Sequence, residues 1–204
     1  MSVSREQEMA KAMSTQNPVI PSAEGIAASV RASKTRGLPP VHKWNPPFCG
    51  DLDMRIARDG TWFYEGSPIG RIGLVKLFSS ILKMEDGRYF LVTPVEKVGI
   101  TVDDAPFVAT DFIVRGEGQD QVIRFETHVG DFTDAGPDNP IRVERDDESG
   151  EPAPYVHVRA GLEALIDRKS FYRLVELGVE NDGWFGVWSQ GQFFPMIPAD
   201  ELDL

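Results

Sequence analysis

Two similar stretches decide how the chain is organised: Ile69–Phe78, IGRIGLVKLF, and Ile166–Val175, IDRKSFYRLV. Each reads Ile-x-Arg, then a variable and a small residue, two bulky residues, a base, Leu and an apolar residue. An Asp-Gly turn and a strand-like segment follow both. Because self-similarity along a chain indicates repeated structural units, we predict an α+β protein of two related small domains. We expect them to be hairpin–helix–hairpin units that arose by internal duplication.

On this basis we expect three regions: a mobile N-terminal segment over residues 1–40, an N-terminal α+β domain over residues 41–104, and a C-terminal α+β domain over residues 105–204. The first region is rich in Ser, Ala, Pro and charge, which is typical of poorly ordered segments. A helical pattern lies near Ser22–Ala32, but we expect order to begin near Val41 or Trp44.

A β-hairpin precedes the first of the two stretches. Residues 52–56 alternate between apolar and polar side chains, the pattern of a half-buried strand, and Asp59-Gly60 marks the turn. A two-residue turn would place Trp62 and Tyr64 beside the polar residues of this strand. A three-residue turn with Gly60 as a bulge would place them beside the apolar ones, and we favour it because one face then stays apolar.

Apolar spacing predicts two helices. For the first helix, Ser67 suits an N-cap and Pro68 the first helical position, and the pattern continues to about Met84. The second helix is predicted from about Leu162 to Leu177, with Gly178 as its C-cap.

The composition disfavours several classes of protein. The formal net charge is −11 over 204 residues, which disfavours binding to nucleic acids and to anionic membranes. No segment approaches the roughly 18 apolar residues of a membrane span, and the N-terminus lacks the apolar stretch of a secretory signal. The single cysteine, Cys49, fits a reducing compartment. We therefore expect a cytoplasmic protein without nucleic-acid or membrane partners.

The loop Gly66–Arg71 is the strongest candidate for a ligand site. It follows a predicted strand and opens a predicted helix, where free backbone N–H groups attract anions. We expect Ser67 and Arg71 to contact a phosphate or carboxylate there, although Arg71 could equally form an ion pair with a nearby carboxylate of the protein. Arg168 holds the matching position in the second half. No Gly-Lys-Ser/Thr follows, so this is not a Walker A sequence.

Two alternatives from other classes stay open. Asp51, Asp53 and Glu126 could serve a hydrolase, with or without a metal ion, because alternate strand positions share a face. A solvated sheet face shows the same polar alternation.

The second alternative is a protein-interaction domain, for which an exposed aromatic patch around Trp184 and Trp188 would be suited. We predict no catalytic residue, no metal ligand and no cofactor.

The chain resembles a bacterial family known as domain-of-unknown-function family 1285, over roughly residues 41–196. The stretches that carry the resemblance are Trp44–Pro46, Gly50–Ala57, Gly60–Ile69, Leu74–Leu82, Leu91–Ile100, Asp104–Val108, Phe171–Val175 and Gly186–Trp188. Runs of this length are more specific than short motifs.

The resemblance implies two related domains, the second similar to pleckstrin-homology folds, and a cleft between them that is suspected of binding a nucleotide-like ligand in a signalling role. It implies no catalytic residue. We therefore expect a ligand-binding or signalling module rather than an enzyme. Its expected partners are a small anionic, nucleotide-like molecule and, as an alternative, another protein. Three further residues are expected to line the cleft: Arg55, Trp62 and Arg168.

Overall fold

The computed structural model describes residues 21–32, 37–145 and 150–202. Within these ranges lie the helices α1 Ala23–Ala32, α2 Ile72–Ser80 and α3 Arg168–Val175, with 3-10 helices at Val41–Lys43, Gly118–Asp120 and Ala199–Glu201. The strands are β1 Phe48–Ile56, β2 Trp62–Tyr64, β3 Ser67–Pro68, β4 Leu82–Glu85, β5 Arg88–Val92, β6 Lys97–Val102, β7 Phe107–Arg115, β8 Val122–Thr127, β9 Phe132–Asp134, β10 Ile141–Arg145, β11 Pro152–Arg159, β12 Leu162–Ile166, β13 Val179–Asn181, β14 Trp184–Ser189 and β15 Gln192–Pro198.

Two six-stranded sheets share one topology. The first has the strand order β3-β2-β1-β6-β5-β4, and the second has the order β9-β8-β7-β12-β11-β10. In each sheet the first and last strands, β1 with β6 and β7 with β12, form a parallel pair at the centre. All other neighbours are antiparallel. The protein thus contains two similar six-stranded units, which fits an internal duplication.

The two helices that suggested the duplication do not occupy equivalent positions in these units. α2 lies between the third and fourth strands of the first unit, whereas α3 follows the sixth strand of the second. The predicted alignment of residues 69–78 with residues 166–175 is therefore wrong. In the repeat that the structure shows, β1 of the first unit corresponds to β7 of the second. Helices that cover a sheet share an apolar stripe and a polar face for packing reasons alone, so the two sequences look related.

The second predicted helix is also too long, because residues 162–166 form the strand β12. Leu162, Ala164 and Ile166 are buried at alternate positions, and β12 pairs with β7 on one side and β11 on the other. The carboxylate of Asp167 then accepts a hydrogen bond from the backbone N–H of Ser170 over 2.7 Å, which is an N-cap. The helix therefore begins one residue after this cap.

The β1–β2 hairpin has the predicted three-residue register. Met54 lies opposite Tyr64, and Ile56 lies opposite Trp62. Trp62 is 1% exposed, and its ring stacks on that of Phe78 in α2 with 6.2 Å between the centroids. The apolar face of the hairpin thus contributes to the core between the first sheet and its helix.

Order begins earlier than expected, because α1 belongs to the core. Ile26, Ala27 and Val30 are buried, and α1 packs against α2. A buried isoleucine contributes about 1.5–3 kcal/mol when removed from water, so this helix is part of the fold although it lies in the segment expected to be mobile. Residues 1–20 and 33–36 of that segment lie outside the described residues. No helix among the described residues has the length and apolar character needed to cross a membrane.

A third sheet, in the order β13-β14-β15, follows α3 and completes the second domain. Ser189 of β14 joins it to the second sheet. Its hydroxyl donates a hydrogen bond to the carbonyl oxygen of Ala135 over 2.7 Å and accepts one from the backbone N–H of Ile123 over 2.9 Å. Because this hydroxyl is buried, both bonds are protected from competition with water.

The two units also contact each other through Arg159, at the end of β11. Its guanidinium donates a hydrogen bond to the carbonyl oxygen of Ser79 in α2 over 2.9 Å. It also forms an ion pair with Asp131 of its own unit and lies 4.8 Å from the ring centroid of Phe107. This side chain therefore joins the C-terminal end of α2 to the second sheet.

Candidate functional site

The tip of the β1–β2 hairpin reaches from the first unit to the second. Gly60 donates its backbone N–H to the carbonyl oxygen of Ala57 over 2.9 Å, and Asp59 accepts a hydrogen bond from the N–H of Thr61 over 2.9 Å. Gly60 has a φ of 84°, and a Cβ there would lie 3.1 Å from Nε2 of His128. The backbone conformation favours glycine, and a Cβ at this position would also require the ring of His128 to shift by a few tenths of an ångström.

His128 has a defined environment at this contact. Its Nδ1 atom accepts a hydrogen bond from the backbone N–H of Val108 over 3.1 Å. Its Nε2 atom is buried and forms no hydrogen bond with the described residues. Burial lowers the pKa of His128, and the N–H that Val108 donates to Nδ1 requires this nitrogen to be unprotonated. The ring is therefore held in its neutral form, with the proton on Nε2.

Arg58, next to this tip, is oriented by the half-buried carboxylate of Asp104, which Tyr155 of the second domain holds in place. Its Nε atom lies 3.3 Å from a carboxylate oxygen of Asp104, and the hydroxyl of Tyr155 donates a hydrogen bond to the other oxygen over 2.8 Å. Burial, together with the hydrogen bond and charge of Asp104, raises the pKa of Tyr155 to about 12. Tyr155 is thus a constant hydrogen-bond donor near neutral pH, and it fixes the carboxylate that Arg58 faces.

A cavity of about 380 Å³ lies beside Arg58; we call it the anion cavity. Arg58 is its contribution from the first domain, and the remaining wall residues belong to the second. They come from the start of β11, the end of β12 and the first turns of α3, and those that bear on ligand chemistry are Glu151, Asp167, Arg168, Phe171 and Tyr172. The cavity therefore lies at the boundary between the two domains.

Both charge and aromatic surface are present in the anion cavity. The side chain of Arg58 is 64% exposed, and the guanidinium of Arg168 lies 6.0 Å from the ring centroid of Tyr172, which is 58% exposed. The carboxylate of Asp167 caps α3. The arrangement suits a ligand that carries both an anionic group and a planar or apolar part.

The structure separates the residues that the sequence predicted for the cleft. Arg168 lines the anion cavity. Arg55 instead forms an ion pair with Asp103, lies 4.6 Å from the ring centroid of Phe63 and lines a different cavity, of about 350 Å³, on the first sheet. The expectation that Trp62 lines a cleft is wrong, because its side chain is in the core.

Ser67 and Arg71 have a different setting from the one predicted. Ser67 and Pro68 form the short strand β3, which pairs with β2, so neither of them starts the helix. Arg71 is the N-cap of α2, and its side chain makes no capping hydrogen bond. Both Ser67 and Arg71 are exposed, and neither lines the anion cavity. Their role as anion contacts stays a prediction.

Sequence reasoning missed Arg58, Phe171 and Tyr172 as cavity residues. Arg58 directly precedes the Asp-Gly turn, and a charged residue at a hairpin tip normally faces solvent. Phe171 and Tyr172 lie in the stretch that was compared with the first half of the chain, where they were considered only as bulky residues of the repeat. The proximity of Arg58 to Arg168 depends on how the two units pack, which no local signal encodes.

The carboxylates of the hydrolase alternative do not come together. Asp51 and Asp53 lie on β1 of the first sheet, whereas Glu126 lies on β8 of the second. Asp51 accepts a hydrogen bond from Arg88 over 2.9 Å. Within residues 21–32, 37–145 and 150–202, no group of three or more His, Cys, Asp or Glu side chains could hold a metal ion. The geometry of the described residues therefore gives this alternative no support.

The fold and its site define a two-domain α+β protein of paired six-stranded units with a cavity at the domain boundary. Residues 39–105 match the N-terminal domain of a domain of unknown function (DUF1285), and residues 106–196 match the C-terminal domain of the same family. The chain belongs to the DUF1285 family, which confirms the resemblance found in the sequence. No curated protein matches it.

Two solved structures of this family are similar to the chain. A DUF1285 family protein from Silicibacter pomeroyi DSS-3 is 67% identical, with a TM-score of 0.83, and the match covers 88% of this chain and 98% of that one. A DUF1285 family protein from Shewanella baltica OS155 is 29% identical, with a TM-score of 0.49, and the match covers 61% of this chain and 91% of that one.

Proposed function

We propose that the protein is a small-ligand-binding module and that an anionic, nucleotide-like molecule occupies the anion cavity. The observation that supports this most directly is the presence of Arg58 and Arg168, from different domains, at one cavity. A phosphate or carboxylate between two guanidinium groups would form charge-assisted hydrogen bonds, which are stronger than neutral ones. The exposed ring of Tyr172 offers a planar group a surface for stacking.

A signalling role would follow from the two-domain origin of the cavity. A ligand held by Arg58 and Arg168 would add contacts between the hairpin tip and the second domain. Such a ligand would favour the arrangement in which both arginines contact it, by the difference in its binding free energy between that arrangement and any other. Ligand concentration would then control how firmly the hairpin tip is held against the second domain.

Thermal unfolding in the presence of candidate ligands tests this proposal. We would compare nucleotides, nucleotide second messengers, phosphate and sulfate. A ligand at 100 times its Kd should stabilise the protein by about 2.7 kcal/mol. Arg168→Gln should remove the stabilisation, whereas Lys169→Gln, which removes the same charge at an exposed neighbouring position outside the cavity, should retain it. Absence of stabilisation by every anion would refute the proposal.

A second candidate function is protein interaction through the third sheet. Val179 is 46% exposed and Trp184 is 45% exposed, and β13 is an edge strand of that sheet, which another chain could extend by pairing. Trp188 is half-buried and packs on Phe193 with 5.3 Å between the ring centroids, so it adds little to this surface. The likeness of the second domain to pleckstrin-homology folds stays a prediction.

Size measurement by light scattering, with and without Trp184→Ser, addresses the interaction alternative for the simplest partner, a second copy of the chain. A dimer that dissociates on this substitution would favour it. A monomer at high concentration would leave the small-ligand proposal as the one with structural support.

A further inference from the structure

A second cavity adjoins the anion cavity and differs from it in chemistry. It has a volume of about 320 Å³ and lies between α3, the β10–β11 hairpin and the third sheet. Its walls are mainly apolar and include Val175, Phe185, Met196 and Ile197; we call it the apolar cavity. Pro152 and Phe171 line both cavities. The two spaces are therefore neighbours that share walls.

One face of α3 extends from the first cavity to the second. Arg168 and Tyr172 line the anion cavity, Phe171 lines both, and Val175 lines the apolar cavity. These four positions have the spacing i, i+3, i+4 and i+7, which places them on one side of a helix. With a rise of about 1.5 Å per residue, Arg168 and Val175 are about 10 Å apart along the axis. The same face thus begins with a cation and ends with apolar side chains.

The charged groups set the direction in which a ligand would lie. Arg145, at the wall of the apolar cavity, forms an ion pair with Glu201 over 2.7 Å. Arg168 forms no ion pair within 4.0 Å with any residue that the structure describes. An anionic group therefore finds a less engaged guanidinium in Arg168 than in Arg145, and Arg58 lies at the same end, although its Nε atom already faces Asp104.

We infer that the ligand of this protein is a single-chain amphiphile, with a phosphate or carboxylate head between Arg58 and Arg168 and an alkyl tail that follows α3 into the apolar cavity. This inference rests on the proposed function for its anionic head site only, and an alkyl chain takes the place of the planar part of a nucleotide-like ligand. A head group alone would leave Val175 and Ile197 facing an empty or hydrated space, whereas an alkyl tail would remove this apolar surface from water. Each buried methylene group then strengthens binding.

Isothermal titration with a chain-length series tests the inference. The probes are methyl, butyl, hexyl and octyl phosphate, all below their micelle-forming concentrations, with octanoate as the carboxylate equivalent of the longer chains. The affinity should rise about fourfold per added methylene group, with one ligand bound per chain, until the apolar cavity is filled. Comparison of octyl phosphate with octanoate shows which head the two arginines prefer.

Two substitutions separate the head from the tail. Arg168→Gln should weaken all members of the series by a similar factor, whereas Lys169→Gln should not. Val175→Phe adds volume to the wall of the apolar cavity and should lower the affinity for octyl phosphate at least tenfold relative to methyl phosphate. Should Val175→Phe fail to fold, Leu202→Trp fills the same cavity from a position near the end of the chain.

The possible results distinguish this inference from the proposed function. If methyl and octyl phosphate bind equally well and both depend on Arg168, the head site stands and the amphiphile is excluded. If long chains bind tightly but neither cavity-filling variant reduces the preference, the tail lies elsewhere and the inference is wrong. If no phosphate or carboxylate binds, the head site and the amphiphile are both excluded.

Discussion

The ring of His128 lies so close to Gly60 that a Cβ on Gly60 would be 3.1 Å from Nε2. Gly60 is the tip of the β1–β2 hairpin in the first unit, and His128 follows β8 in the second. Because Gly60 also has a φ of 84°, one residue meets both a turn requirement and a packing requirement. The contact thus ties the shape of a turn in one domain to the position of a titratable ring in the other.

Gly60→Ala should destabilise the protein more than Gly66→Ala. Gly66 has a φ of 73° but open space where a Cβ would be, so its substitution introduces backbone strain of about 1 kcal/mol or more. Gly60→Ala adds the contact with His128, and we expect a total loss of about 2–3 kcal/mol. Urea unfolding of the two variants measures the difference. Equal losses would show that the ring moves aside freely.

The lowered pKa of His128 predicts a loss of stability in mild acid. The unfolded chain binds a proton at His128 near pH 6.5, whereas burial keeps the folded ring neutral to lower pH. Stability from this group is therefore complete above about pH 6.5, and it decreases as the pH falls from there towards the folded pKa. Thermal unfolding between pH 8 and pH 5 should show this decrease.

His128→Gln should flatten this part of the pH profile, and His42→Gln, at an exposed position, should not. The carboxylates whose pKa is lowered, such as Asp134 through its hydrogen bond with Arg124, lose their contribution at more acidic pH, because their unfolded pKa is near 4. Between pH 5 and pH 8 the change in stability with pH is therefore due mainly to histidine. A slope that persists in His128→Gln would assign it to another group.

Removal of Arg159 should loosen the boundary between the units. Its side chain is 22% exposed, and Arg159→Ala would lose the hydrogen bond to the carbonyl of Ser79 and leave Asp131 without this partner. We expect a loss of about 2 kcal/mol, in the range for hydrogen bonds to charged groups. Arg145→Ala, which breaks the exposed ion pair with Glu201, should cost less than about 1 kcal/mol. Urea unfolding measures both.

Ile26→Ala tests whether α1 is an integral part of the fold. Ile26 has no exposed surface, and truncation of such a side chain to alanine typically costs about 2–5 kcal/mol. Arg31→Ala on the exposed side of the same helix should change stability by no more than about 0.5 kcal/mol. Differential scanning calorimetry distinguishes the two. A small effect of both would mean that α1 detaches without cost to the rest.

The β1–β2 register could be predicted because its determinants are local. A single register places Trp62 and Tyr64 on the same face as Met54 and Ile56, and the structure has this register. The strand β12 could not be predicted in this way. The residues from Leu162 to Ile166 fit either a helix or a strand. The choice is made by pairing with the adjacent strand β11 and with β7, which is distant in sequence.

The candidate site shows the same division between local and distant determinants. Arg168 attracted notice because it matches Arg71 in the comparison of the two similar stretches, and it lines the anion cavity. Its counterpart Arg58 reaches that cavity because the hairpin tip packs against the second unit. Net charge and motif spacing carry no information on such packing, so the pair could be found only once the units were placed together.

The parallel pairing at the centre of each sheet has a consequence for how the chain is made. In the first unit Phe48 lies beside Lys97, and in the second Phe107 lies beside Ala164, so each sheet is joined through the earliest and latest of its strands. During synthesis, neither sheet can form its central strand pair until its final strand has left the ribosome. Until then, the strands made earlier lack a pairing partner at the centre of the sheet. Such long-range closure is slow and exposes unpaired strands. We therefore expect nascent chains of this protein to expose unpaired strands in two successive periods, one for each sheet, and chaperones to bind them mainly then.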